Sequence, residues 1–113
     1  MDDDKRNAVR IRKDITIAYS YDDRVWITTD LLNLSENGIC ITTSRASLID
    51  ENIIIRIDMP QRQIGRIELP GKVISSDTAM NHMFKTRIGF LNLNEEQTEL
   101  LRIFVAAALV KGA

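Results

Sequence analysis

A hydrophobic period of two constrains this chain more than any other feature. Ile15, Ile17 and Tyr19 alternate with Thr16, Ala18 and Ser20. Val25, Ile27, Thr29 and Leu31 alternate with Trp26, Thr28 and Asp30. Further on, Ile53, Ile55 and Ile57 alternate with Arg56 and Asp58, and Phe84, Thr86, Ile88 and Phe90 with Lys85, Arg87 and Gly89. On an extended backbone successive side chains point to opposite faces, so each run buries one face and wets the other. β-Branched residues, which suit a pleated surface, fill these runs. Turn chemistry separates them at Tyr21-Asp22-Asp23, Met59-Pro60-Gln61 and Asp77 to Asn81, and most clearly at Glu36-Asn37-Gly38, where Asn and Gly tolerate positive φ. Pro70-Gly71 interrupts the fifth run and predicts a bulge or a bend.

The period changes only at the end. Asn94-Glu95-Glu96-Gln97 reads as a capping box, and its two acids face the positive end of a helix dipole. Leu100, Phe104 and Ala107 then share one helical face with Ile103 beside them, and Leu101, Val105 and Ala108 share the next. The chain therefore reads as mainly β: about six strands followed by one α-helix. A small antiparallel sheet closes its edges most simply as a barrel, so the expected fold is a six-stranded antiparallel β-barrel with a C-terminal α-helix. All 113 residues form a single domain in this reading: a flexible basic arm at 1–13, the barrel at 14–93 and the helix at 94–110.

Composition narrows the function classes. A net charge of -1 and an aromatic content of 5% disfavour a single-stranded nucleic-acid binder, which needs a basic groove and stacking platforms. No nucleophile–base pair is visible, so an enzyme is not expected. The lone Cys40 makes no internal disulfide, and no Cys/His cluster points to a metal or other cofactor. A charged N-terminus without an apolar segment, and the absence of a membrane-spanning run, predict a cytoplasmic protein.

Two constellations remain. Lys5, Arg6, Arg10, Arg12 and Lys13 put five cations within nine residues of a nearly neutral chain. Arg can grip a phosphate or the O6/N7 edge of guanine with two bonds and can stack on a base. Taken alone, the cluster is a solvated arm. The second constellation is Asn33-Leu34-Ser35-Glu36-Asn37-Gly38 at a strand junction. Asn33 and Ser35 are two apart and point to one side, where an amide and a hydroxyl suit the polar edge of a base. Gly38 permits a tight turn or the close approach of a ligand. Taken alone, this is a hairpin with polar turn residues.

Together the two resemble the PilZ family. Arg6-Asn7-Ala8-Val9-Arg10 matches its RxxxR motif, with Lys5 where a further basic residue is common, and Asn33 to Gly38 matches its [D/N]xSxxG motif. Arg87 to Glu96 looks like the last barrel strand leading into the terminal helix. The resemblance implies a barrel that binds cyclic di-GMP, a bacterial second messenger. Arg6 and Arg10 would grip its phosphates and guanines from the arm, Asn33 and Ser35 would contact a guanine, and Gly38 would hold the loop. Asp is commoner than Asn at the head of the second motif, and the neutral carbonyl of Asn33 predicts weaker binding than an Asp variant would show.

The expected function is thus a receptor module for cyclic di-GMP without catalytic activity. Its arm, from about Lys5 to Lys13, closes over the ligand, and its output runs through a partner protein. The rival is a PilZ-like interaction adaptor that binds no nucleotide. The unbroken apolar run Val105 to Val110 exceeds the one stripe that packing on a barrel requires, which predicts a homodimer or partner contact through the helix. His82 is expected at the surface and Cys40 in the core. Trp26 and the phenylalanines are expected in the core, and Arg62, Arg66 and Arg87 on a solvated face.

Overall fold

The computed structural model describes residues 9–11, 15–59 and 65–111; for 9–11 and 107–111 it describes the backbone alone. Among the described residues nine strands and one α-helix follow one another, with a 3-10 turn at Met80–His82 between β7 and β8: β1 (Val9–Ile11), β2 (Thr16–Ser20), β3 (Ile27–Thr29), β4 (Leu31–Leu34), β5 (Gly38–Thr43), β6 (Asn52–Met59), β7 (Gly65–Thr78), β8 (Phe84–Phe90), α1 (Glu95–Ala108) and β9 (Leu109–Lys111). Seven strands make one sheet in the order β3-β2-β6-β7-β8-β5-β4, and every neighbouring pair is antiparallel.

The count is seven rather than six because the run from Val25 to Leu31 is not one strand. The chain breaks at Asp30: β3 pairs with β2 at one end of the order, and β4 pairs with β5 at the other. One residue thus carries the backbone from the first edge to the last. The seam is stitched by Thr42 N–H, which donates to the Asp30 carbonyl at 3.4 Å, and by the Thr29 hydroxyl, which donates to the Thr42 carbonyl. The sheet is therefore a nearly closed barrel, with almost no free edge left to recruit another strand.

Alternation predicts the interior well in the central strands. Ile53, Ile55 and Ile57 of β6 are at most 1% exposed, with Ile17 and Tyr19 of β2, Ile41 of β5, Leu69 of β7 and Ile88 of β8 beside them. It fails around β3, where Val25 just before the strand and Ile27 within it stand exposed, because that strand is short and ends the strand order. Trp26 also lies outside the core, half-buried, with the Arg56 guanidinium 3.8 Å above its ring. Thr86 and Thr43 are both fully buried; their hydroxyls bond each other at 2.8 Å, and Ser76 reaches Thr86 at 2.9 Å, so none of these hydroxyls is buried unpaired.

The capping box forms as read. Gln97 N–H donates to Asn94 Oδ1 at 2.7 Å, and Asn94 N–H donates to Gln97 Oε1 at 2.9 Å. Gln97 also donates to the Glu68 carbonyl of β7 at 3.1 Å, which pins the start of α1 to the barrel. Leu101 and Phe104 complete the docking, both buried to 1% or less. The helix ends at Ala108 rather than at residue 110, and the backbone then turns extended. Leu109–Lys111 pairs antiparallel with Val9–Ile11, so part of the expected flexible arm is a strand. Among the described residues no helix is long and apolar enough to cross a membrane.

Candidate functional site

The β4–β5 turn begins the site. Ser35 N–H donates to the Gly38 carbonyl at 2.9 Å. The Ser35 hydroxyl accepts from the N–H groups of Asn37 and Gly38 at 3.2 and 3.3 Å. The same hydroxyl donates to the Gly38 carbonyl at 3.4 Å, so Ser35 closes its own turn as acceptor and donor. Leu34, between Asn33 and Ser35, is buried, and its two neighbours point outward together.

Gly38 has a different reason to be glycine than the turn. A Cβ there would stand 2.3 Å from the Ile88 carbonyl oxygen, because β8 passes directly against it and pairs Gly38 with Gly89. The glycine serves the approach of two strands rather than a positive φ.

Asn33, Ser35 and Gly38 meet in a depression of about 230 Å3, also lined by Asn37, Ile39, Cys40, Ile74, Arg87 and Ile88. Three of the lining residues share one row, which continues to a fourth strand: Asn33 of β4 opposes Cys40 of β5, Cys40 opposes Arg87 of β8, and Arg87 opposes Ser75 of β7. The ladder slips on both sides of this row. Leu32 is the extra residue between Leu31 and Asn33, and Ile74 the extra residue between Val73 and Ser75. Such bulges bend a strand and re-aim its side chains. The bulge in β7 therefore sits at Ile74, not at Pro70-Gly71. Those two residues lie where β7, still paired with β6, begins to pair with β8, and a Cβ on Gly71 would come within 2.6 Å of Ile88.

Cys40 is buried, as expected, yet lines the depression. Burial pushes its thiol up from the ordinary value, although Lys85 and Arg87 pull it the other way, so it is a neutral wall rather than a nucleophile. Arg87, expected on a solvated face, is exposed but belongs to this row. It and Ile74 line the depression beside the motif residues, a placement that the sequence alone does not indicate. The pairing of Asn33 with Cys40 and Cys40 with Arg87 is the signal, and it depends on a register that the two bulges alter.

Of the other expected site residues, Lys5 and Arg6 lie outside the described residues, and so does the Arg10 side chain. The Arg10 backbone is in β1, paired with Val110. At the turn's outer side Glu36 faces Arg102 of α1, Oε1 to Nε, at 3.6 Å, so the loop and the helix touch.

Comparison with known proteins bears on both fold and family. No curated protein sequence matches the chain. Among solved structures, it is similar to the PilZ domain of CeSA from a cellulose-synthesizing bacterium, at 20% identity and a TM-score of 0.61, over 82% of this chain and 90% of that one. It is similar to the PilZ domain of YcgR from Escherichia coli, solved with cyclic di-GMP, at 17% identity and a TM-score of 0.60, over 83% and 81% of the two chains. It is also similar to the inhibitor of motility MotI/DgrA of Bacillus subtilis, at 14% identity and a TM-score of 0.64; there the match covers 88% of this chain but only 48% of that one. At these identities the likeness shows a shared fold. The family itself is shown by sequence: the model of the PilZ domain matches residues 4–107, both motifs included, and the chain belongs to the PilZ family.

Proposed function

We propose that this domain is a non-catalytic receptor for cyclic di-GMP that passes ligand occupancy to a partner protein. The observation that carries the reading is the meeting of Asn33, Ser35 and Gly38 in one depression, in a family whose YcgR member was solved with that ligand. The size of the depression supports a second surface. At about 230 Å3 it falls below the range of roughly 300–1,000 Å3 usual for small-molecule sites. One base fills it, and the rest of a cyclic dinucleotide needs other walls. Lys5, Arg6 and Arg10 are the cations we assign to that role, gripping phosphates and guanines through forked, charge-assisted bonds.

The pairing of β1 with β9 supports a route from ligand to output. Arg10 shares a three-residue ladder with the segment that follows α1. An isolated two-stranded ribbon is marginally stable, so a ligand that recruits Arg10 has little to displace. Occupancy then changes what the end of α1 presents, which is an order-change switch of a familiar kind. The partner surface we assign is the apolar run Val105 to Val110, whose side chains from Ala107 onward lie outside the described residues, together with Ile103 beside it, which stands 47% exposed; a second copy of the chain is the occupant proposed. Sedimentation at high concentration, with and without cyclic di-GMP, should show a dimer in at least one condition. Monomer alone in both removes the homodimer.

Isothermal titration tests the receptor itself. The protein should bind cyclic di-GMP saturably, and Arg10→Ala should weaken binding at least about tenfold, the loss of one charge-assisted contact. Asn33→Asp should tighten it by roughly fivefold, since a carboxylate accepts more strongly than an amide carbonyl. No binding by the folded protein would transfer the domain to the adaptor reading.

A further inference from the structure

Arg87 lines the depression and stands in its row with uncharged Cys40 and Ser75 on either side. Arg45, Arg56, Arg66 and Arg102 each face a carboxylate, whereas Arg87 has no ion-pair partner among the described residues. Beside it, Ile74 is 59% exposed. A single exposed isoleucine is ordinary on a protein surface. This one is different in placement. It is the extra residue of a bulge, it lines the depression, and it lies over the bare backbone of Gly89, where its Cδ1 is 3.2 Å from the place a Cβ would take. The absent side chain of Gly89 leaves the space that Ile74 occupies. The result is an apolar side chain and a guanidinium that line one depression together with Asn33.

An apolar side chain so placed takes the flat face of a base, and the guanidinium beside it selects among bases. Guanine presents two acceptors, O6 and N7, side by side, which the forked donors of Arg match. Adenine presents one acceptor and one donor there, and the donor opposes the fork. We propose that Arg87 and Ile74 form a purine subsite outside both sequence motifs, in which Ile74 supports the face of one guanine and Arg87 reads its O6/N7 edge. The inference rests on the receptor reading above and adds to it the residue that decides which purine is accepted.

The test is a paired titration with cyclic di-GMP and cyclic di-AMP, run on the unmodified protein, Arg87→Gln, Arg87→Lys and Ile74→Ser. Both positions are exposed, so the variants should keep the circular dichroism and melting point of the parent. The parent should prefer cyclic di-GMP, and Arg87→Gln should narrow that preference at least roughly fivefold, the discrimination carried by one bidentate contact. Arg87→Lys should not restore it, because a point charge cannot make the fork. Ile74→Ser should weaken both dinucleotides alike. Equal losses for the two ligands in Arg87→Gln would overturn the inference and leave a nonspecific charge effect. Full rescue by lysine would overturn it too, and so would unchanged binding by Arg87→Gln while the parent binds. In each of those cases the receptor reading stands. If the parent bound neither dinucleotide, both would fall together.

Discussion

Truncating Phe104 to alanine should cost about 3–5 kcal/mol, the range for removing a buried aromatic side chain. Phe104 is 0% exposed and, with Leu101, joins α1 to the barrel core. The dispersion contacts and the apolar burial are lost together, and a helix docked on one wall cannot collapse into the void without sliding off its Gln97 anchor on Glu68. Small domains have only about 5–15 kcal/mol in total, so the loss takes a large share. Urea denaturation should show a markedly lower midpoint for Phe104→Ala and almost none of that change for Ile103→Ala, whose side chain is 47% exposed. Equal midpoints for the two variants would mean that the helix is not docked through Phe104. Because Phe104 does not line the depression, the titration of a still-folded Phe104→Ala also reports whether helix docking matters for ligand affinity.

The second large effect is at Gly38. An alanine there should destabilise the domain by about 1–3 kcal/mol, the usual penalty for forcing a methyl into filled space. The added Cβ would meet the Ile88 carbonyl oxygen at 2.3 Å, and that oxygen is backbone, so no side-chain rotation relieves it. The strands β5 and β8 must part where Gly38 pairs with Gly89. The same shift moves the Gly38 N–H that holds the Ser35 hydroxyl and tilts the Asn33–Cys40–Arg87 row. Gly38→Ala should therefore lose ligand affinity beyond its loss of stability. Thermal melting should show a fall of about 4–8 °C per kcal/mol for a domain of this size. A variant as stable as the parent would show that the two strands have room to spare.

Much of the fold is legible in the residues themselves. The period of two names the buried faces of β6 and β8, because a sheet with one dry face demands alternation there. The end of the chain is read as well, since Asn94 and Gln97 satisfy each other's backbone through local chemistry that needs no partner element. The polar half of the site is equally local: Asn33 and Ser35 share a side because strands alternate.

Other features belong to no single stretch of sequence. Asp30 divides one apparent strand into two because the sheet must close on itself, a demand set by the other strands rather than by residues 25–31. The glycine at 38 reads locally as a turn residue, and only the passage of β8 makes it a packing residue. Leu109 and Val110 continue the apolar run of the helix, yet the backbone leaves the helix there and Leu109–Lys111 pairs with Val9–Ile11, nearly the whole chain away. Arg87 and Ile74 come to the site through two slips in register, and a slip is decided by the energy of the assembled sheet. The alternating faces of the central strands, the helix cap and the polar turn were thus legible in the residues, since each follows from side chains within a few positions of one another. The tertiary structure alone decided where the barrel closes, which strands crowd Gly38 and which cation lines the depression, because those depend on contacts between residues far apart in the chain.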